Sequence, residues 1–530
     1  MQGLHNNKHT FIQGALLLTI AGIVTKILSA VYRVPYQNIA GDIGFYIYQQ
    51  VYPFYGIAIA LSLNGFPIVI SKIISEHNKS EKQEYFTLIY SFLTLLLFGF
   101  ISFLLLFVFA LPLAKWMGDP LLVEPIRMVS FSFLLLPFIS IFRGYFQGYG
   151  YMLPTALSQM TEQFIRVGSI LLLAFIFVGA GYDYYVVGTG AVIGSIIGGV
   201  AGLFVLLYFR SKLMHQLSWD LYKEALHLKN VRAFPFREVI LSSLLISTTG
   251  LTLVLLQLVD SFTLYSVLVQ SGINETDAKF AKGIFDRGQP LIQLGVVLAT
   301  SLSLTLVPTI SNAVKRGKQD EIVTMTKLSL KISFVIGMGA TIGLISIMKY
   351  TNYMLFTNMA GSTVLSVLSV SILLLSICLT AASILQGLGF VAHTAIFVLA
   401  GFIIKVGANQ LLIPNFGTLG AAISTILAVS VICMATLIML VNKLKVNQFI
   451  PYQILSKTMI AGLVMSLVIK LYEYTYFQLL VDDVTRTSSS LFALSAVFIG
   501  GAIYLVVIYQ LKIIQKDEIV LWKKEKEEEI

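Results

Sequence analysis

Apolar runs of about 20 residues recur from one end of the chain to the other, and no other feature limits its fold so tightly. Each run is long enough to cross a hydrocarbon layer of about 30 Å as a helix rising about 1.5 Å per residue. A helix is required, because a backbone in lipid must satisfy its N–H and C=O groups within its own segment. Composition agrees: 57% of the 530 residues are hydrophobic and 12% are charged, where a soluble domain would be about a quarter charged. The expected fold class is an all-α integral membrane protein.

Polar breaks divide the runs into fourteen predicted spans. Six lie near 11–32, 44–71, 86–111, 127–146, 155–180 and 185–209. Six more lie near 238–268, 282–311, 325–348, 363–388, 392–413 and 419–441, and a last pair near 454–480 and 489–514. The expected organisation is a first lobe at 1–209, a basic connection at 210–237, a second lobe at 238–441, two further helices within 442–514 and a charged tail at 515–530. The first run has a weak cationic lead and exceeds the roughly 7–15 apolar residues of a signal peptide, so it reads as a retained span.

The net charge of +10 could suit nucleic acid, but the cations sit in short loops between apolar runs. That is a topology signal, and no nucleic-acid partner is expected. With the N-terminus inside, the inner loops hold Lys72, Lys79 and Lys82, the basic connection, Lys315, Arg316 and Lys318, Lys443, Lys445 and Lys457, and the tail. Both termini are therefore expected in the cytoplasm of a multi-pass cell-membrane protein, which requires an even number of spans. Cys378 and Cys433 lie inside apolar runs and read as packing residues, not a disulfide or metal site.

The two six-span blocks match each other. Leu61-Ser62-Leu63 with Pro67 recurs as Leu302-Ser303-Leu304 with Pro308. Gln147-Gly148-Tyr149-Gly150 recurs as Gln386-Gly387-Leu388-Gly389, and Arg166-Val167-Gly168 as Lys405-Val406-Gly407. Matches in one order at similar offsets indicate duplication. Six spans separate each matched pair, so the repeat is parallel, and two pseudo-equivalent lobes around a central cavity imply alternating access.

Ionisable residues inside spans are costly and mark candidate sites. Lys26 falls in the outer half of span one and Arg33 at its outer end. Glu162 and Arg166 fall near the middle of span five, with Gln159 and Gln163 extending the same polar stripe. Asp260 falls toward the outer end of span seven, Asp286 and Arg287 in the outer part of span eight, and Lys405 near the middle of span eleven. Lys26, Arg33, Arg166, Arg287 and Lys405 outnumber the acids, and a cationic cavity suits an anion such as phosphate or pyrophosphate. Structural readings stand beside these: Glu162 and Arg166, four apart, can neutralise each other; Asp286 can orient Arg287; Asp260 can partner a cation or couple to an ion; Lys26 and Arg33 can snorkel. Gly194, Gly198, Gly199 and Gly202 read as a packing face.

Asp286-Arg287, Pro290, Leu294-Gly295 and Leu306-Val307-Pro308-Thr309-Ile310-Ser311 resemble the eighth span of lipid-precursor flippases of the MurJ type. They are closer still to the stage V sporulation protein B and polysaccharide-export branch of the multidrug/oligosaccharidyl-lipid/polysaccharide (MOP) exporter superfamily. Lys26 to Arg33, Gly41, Gly44-Phe45-Tyr46 and the run Leu63 to Lys72 resemble the first two spans of that branch. The resemblance implies two six-helix lobes, two extra helices that build a groove for a lipid tail, and movement of a polyprenyl-pyrophosphate-linked saccharide from inner to outer leaflet. It implies that Arg33 and Arg287 bind the pyrophosphate.

The expectation is thus a flippase for lipid II or another lipid-linked glycan, working as a monomer in the bilayer with cell-wall synthesis proteins as possible partners. The alternatives are a cation-coupled multidrug exporter using Asp260, Glu162 and Asp286, and a scaffold acting through the basic connection and tail. No Walker loop, metal-spaced cluster or catalytic triad is present in the sequence, so neither an enzyme nor a cofactor is expected. Energy must then come from Na⁺, H⁺, the membrane potential or the substrate gradient.

Overall fold

A computed structural model of the chain describes residues 8–77, 81–213, 236–446, 448–480 and 483–513. The chain divides into two compact units, Met1–Ser266 and Val267–Ile530.

In the first unit, α1 (Lys8–Val31) passes into α2 (Arg33–Ala60) at Tyr32. Pro35 explains the break: it has no N–H to return to the carbonyl of Val31, yet it is tolerated in the first turn of a new helix. Gly41 bends α2 sharply, with φ 69° and ψ −180°, a region open to glycine almost alone. A π-turn, Leu61–Gly65, joins α2 to α3 (Phe66–His77). Here the N–H of Phe66 reaches back five residues to the carbonyl of Leu61, and Pro67 has no N–H to offer. The carbonyl of Ser62 is therefore left without its helical donor.

The unit continues with α4 (Glu81–Val108), α5 (Ala110–Trp116), α6 (Val123–Gly148), α7 (Met152–Gly179) and α8 (Tyr184–Leu213). The next helix, α9 (Phe236–Gln270), carries the unit boundary. Its part up to Ser266 runs antiparallel to α2 and α3. Tyr265 packs on Tyr46 with ring centroids 5.3 Å apart, Gln50 Nε2 donates to the Ser261 carbonyl at 3.2 Å, and Val239 joins Val69 in one apolar cluster.

The second unit holds α10 (Glu275–Asp286), α11 (Gly288–Gly295), α12 (Val297–Lys315), α13 (Gln319–Phe356), α14 (Ser362–Gly387), α15 (Val391–Phe416) and α16 (Thr418–Leu444). The expected single eighth span, 282–311, is corrected: it is broken at Arg287 and again at Val296. Pro290 withholds the N–H that the carbonyl of Asp286 would accept, so the helix restarts with Pro290 in its first turn. Two final helices, α17 (Tyr452–Thr475, ending in a π-turn Tyr476–Leu480) and α18 (Arg486–Gln510), pack on each other and on α13. Their core joins Val335, Ile347 and Tyr350 to Met465, Ile469 and Phe492, and the Tyr504 hydroxyl donates to the Val335 carbonyl at 2.7 Å.

The same helix pairs pack within each unit. In the first, α3 and α4 pack on α6, α6 on α8, and α7 on α8; in the second, α12 and α13 pack on α14, α14 on α16, and α15 on α16. The duplicated sequence thus reappears as duplicated packing. Cys378 in α14 and Cys433 in α16 are buried free thiols.

Among the described residues, twelve stretches are long and apolar enough to cross a membrane. One of them, Ile20–Ser75, has 56 residues, far more than the roughly 20 that one crossing needs, and Gly41 bends it into two. Counting both halves, and adding the broken eighth span, gives fourteen crossings. Lys79, the 214–235 part of the basic connection and the tail from 514 lie outside the described residues.

Candidate functional site

The first unit buries two arginines among tyrosines. Arg33 opens α2 and is 1% exposed, with its guanidinium 4.2 Å from the ring centroid of Tyr52. Its Nε and Nη1 are buried with no hydrogen-bond partner. Arg166, on α7, is also 1% exposed and lies 5.2 Å from the rings of both Tyr32 and Tyr55. Its Nη2 donates to Ser29 Oγ at 2.9 Å, and its Nε has no partner. Tyr32 and Tyr48 share a hydroxyl–hydroxyl bond of 2.6 Å, and edge-on contacts link Tyr48 to Tyr52. Neither arginine makes an ion pair among the described residues.

The pairing of Glu162 with Arg166 is corrected. Glu162 takes its charge partner from another helix: Arg143 Nη2 on α6 donates to Glu162 Oε2 at 2.7 Å and to Ser158 Oγ at 2.9 Å. Arg143 Nη1 lies 3.5 Å from the Ser62 carbonyl, the acceptor that the π-turn and Pro67 leave over. One buried guanidinium thus answers a carboxylate, a hydroxyl and a stranded carbonyl, as a buried charge requires. Beside this pair lies a small open pocket of about 20 Å³, lined by Tyr55, Ser62, Ser132, Ser195 and Glu162 among others. The Tyr55 and Ser132 hydroxyls are buried without partners.

The glycine face of α8 sets this geometry. A Cβ on Gly198 would come within 2.5 Å of Arg166 Cβ and 2.7 Å of the Glu162 carbonyl. Only glycine there lets α7 and α8 approach closely enough to bury both charges. Gln159 is half-buried, and Gln163 is buried with its Nε2 unpartnered. Lys26 is half-buried on α1, one turn before Ser29.

The second unit holds its cations otherwise. Arg287, 0% exposed, caps α11; its Nη1 donates to Asn352 Oδ1 at 3.2 Å and to Asn358 Oδ1 at 2.8 Å, and it lies 5.3 Å from the Phe356 ring. The Asn352 amide nitrogen in turn bonds the Ala360 carbonyl at 2.8 Å and Ser362 Oγ at 3.0 Å. Asp286 pairs with Lys282 on its own helix at 2.6 Å. Lys405 Nζ, buried between α15 and α16, donates to Thr425 Oγ1 at 3.0 Å, away from Arg287's amides. Asp260 is buried on α9.

The structure brings Arg33 and Arg166 into one tyrosine cluster and leaves Lys405 in a separate helix pair. Sequence reasoning missed Arg143, because an arginine at a predicted span end reads as a snorkel. It missed Asn352 and Asn358, because neutral amides carry no charge signal. Lys282 was findable from its spacing of four to Asp286.

Among the described residues, fourteen crossings and the buried cations they carry define a multi-pass membrane protein. Residues 11–314 match the family model "Polysaccharide biosynthesis protein". The chain is 42% identical over 513 residues to "Uncharacterized membrane protein YabM" of Bacillus subtilis (97% of this chain, 94% of that one). It is 26% identical over 529 residues to the "Lipid II flippase MurJ" of the same organism (95% and 96%). Its fold is similar to a solved structure of lipid II flippase MurJ in an inward closed conformation, with TM-score 0.69, 16% identity, and 93% and 98% coverage. An inward-facing multidrug MATE transporter of the MOP superfamily is similar at TM-score 0.60 and 16% identity, over 82% and 98%. The chain belongs to the polysaccharide biosynthesis protein family; it is a transporter and not an enzyme.

Proposed function

We propose that the protein is a flippase that moves a lipid-linked saccharide from the inner to the outer leaflet by binding its diphosphate group. One observation carries this reading: Arg33 and Arg166 are buried in membrane-spanning helices with unpartnered N–H groups, and neither makes an ion pair among the described residues. An uncompensated guanidinium in such a place is costly unless an anion completes it. Arginine suits phosphate oxygens because its donors form a planar fork. Arg287 is assigned the same task in the second unit. The name borne by the MurJ relative supports the lipid-linked class of substrate. Two of the three acids that a cation-coupled drug exporter would use are already engaged in ion pairs, Glu162 with Arg143 and Asp286 with Lys282. We assign both termini to the cytoplasm from the loop cations, and a monomer as the working form.

The test is translocation of a fluorescent polyprenyl-diphosphate saccharide in liposomes holding the purified protein. Wild type is expected to move it. Arg33→Ala and Arg287→Ala are each expected to lose about 10- to 100-fold in rate, the worth of a charge-assisted hydrogen bond or two. Normal flipping by both folded variants would remove the reading. Imposing a Na⁺ gradient, a proton gradient and a potential in turn on the same liposomes identifies the driving force.

A further inference from the structure

Charged groups inside a membrane protein are ordinarily answered by opposite charge, as Arg143 is by Glu162. Arg33 and Arg166 are answered by π faces instead. Tyr52 lies under Arg33, and Tyr32 and Tyr55 flank Arg166. Successive ring contacts, Tyr32 to Tyr48, Tyr48 to Tyr52 and Tyr52 to Tyr55, at centroid distances of 6.3, 6.0 and 6.3 Å, make the tyrosines one assembly. A ring face attracts a cation through its quadrupole but does not neutralise it, and it occupies the flat of the guanidinium while leaving the N–H edge alone. Arg33 Nε and Nη1 and Arg166 Nε are the edges left over.

We propose that Tyr32, Tyr52 and Tyr55 are positioning residues that keep Arg33 and Arg166 charged with N–H donors left open, so that the first unit selects an anion able to close two positive charges, a diphosphate over a monophosphate. The proposal rests on the assignment of these arginines as anion ligands. The rings hold the two cations through the empty state, and a doubly charged ligand completes both. A carboxylate in a ring's place would hold an arginine equally well and abolish the selectivity.

The experiment uses the full-length protein in detergent, titrated with farnesyl diphosphate and farnesyl monophosphate, with the melting temperature recorded for each variant. Wild type is expected to bind the diphosphate at least about tenfold more tightly than the monophosphate. Tyr52→Phe, which keeps the ring, retains affinity within about twofold. Tyr52→Leu loses about tenfold in diphosphate affinity and most of the preference. Tyr52→Glu melts at or above wild type without ligand and binds neither compound; a residue of merely structural importance would lower stability and binding together. Undiminished diphosphate binding by Tyr52→Leu, or by Tyr52→Glu, overturns the proposal. If wild type binds neither compound, the flippase assignment fails, and the order of melting temperatures still decides the cage: Glu at or above wild type and Leu below it support it, and the reverse order rejects it. Should Tyr52→Leu not fold, the Phe and Glu variants decide alone.

Discussion

The two units bury cations by different means. In the first, the cations meet rings and a carboxylate brought up by packing: Tyr52 for Arg33, Tyr55 of α2 for Arg166 on α7, and Glu162 of α7 for Arg143 on α6. In the second, Asp286 is four residues from Lys282 on one helix, and the other cations meet neutral groups, Thr425 of the next helix for Lys405. Arg287 is held by two amides at the outgoing end of α13 and the short connection after it. A local partner forms as soon as its helix forms. A distant one exists only when the unit is packed, so the first unit's site is a product of tertiary structure and the second's is partly secondary.

The largest expected effect tests that difference. Arg143→Ala strands the Glu162 carboxylate and the Ser62 carbonyl, and is expected to cost about 3–5 kcal/mol, the range for breaking a buried pair. Combining Arg143→Met with Glu162→Leu should recover most of the loss, because two apolar residues leave no charge behind. Melting curves in detergent measure both. A single substitution with an unchanged melting temperature would mean that packing, not charge, sets the stability of α6 against α7.

This contrast also explains what could be read in the sequence. Fourteen crossings followed from apolar run length alone, since run length and bilayer thickness are both local quantities. The duplication was legible because the motifs Leu-Ser-Leu with Pro and Gln-Gly with Gly recur in order, and the paired packing of α3 on α6 and α12 on α14 follows them. Buried cations were legible as costs: Arg33, Arg166, Arg287 and Lys405 are all enclosed. Their partners were not. Glu162 and Arg166 lie four apart, and the helix rule joined them, but the close approach of α6 supplied a better-placed guanidinium. The tyrosines at 32, 48, 52 and 55 carry no charge signal in the sequence, and they form a cluster only where α1, α2 and α7 come together. The broken eighth span was overlooked because hydropathy does not register where Pro290 withholds an N–H.

The approach of α7 to α8 gives the next effect in size. Gly198→Leu drives a side chain into Arg166 Cβ and the Glu162 carbonyl. The expected cost is about 1–3 kcal/mol from overpacking, with loss of diphosphate binding as the cage shifts. Gly407→Leu in the second unit meets nothing within 4 Å and should leave both melting temperature and binding near wild type. Equal damage from the two would erase the distinction between the units.

Smaller still is the effect expected at the amides of Arg287. Asn358→Ala removes one of two hydrogen bonds to Nη1, a net loss of about 0.5–1.5 kcal/mol, and Asn352 remains to hold Nη1. Transport should fall severalfold with little change in melting temperature. Asn358→Asp should instead slow transport further while raising stability, since a carboxylate there competes with an incoming anion. Identical behaviour of the two variants would show that the side chain only shapes the connection.

The least change in stability, with a clear change in function, is expected at the prolines that open the two arginine-bearing helices. Arg33 is followed by Pro35 and Arg287 by Pro290, each in the first turn of α2 and α11. Both prolines end the preceding helix by omission, since neither can donate to the carbonyl four residues back. Alanine restores that donor and favours a continuous helix, which would swing the arginine around the axis by part of a turn. First-turn proline is not itself destabilising, so Pro35→Ala and Pro290→Ala should each alter the melting temperature only slightly. In the first unit the rotation takes Arg33 off the face of Tyr52, so Pro35→Ala should lose binding as fully as Arg33→Ala. In the second, two flexible amides can follow Arg287, and Pro290→Ala should retain a measurable fraction of transport. Flipping and diphosphate titration on the two variants settle whether rings demand a fixed arginine where amides tolerate a moving one.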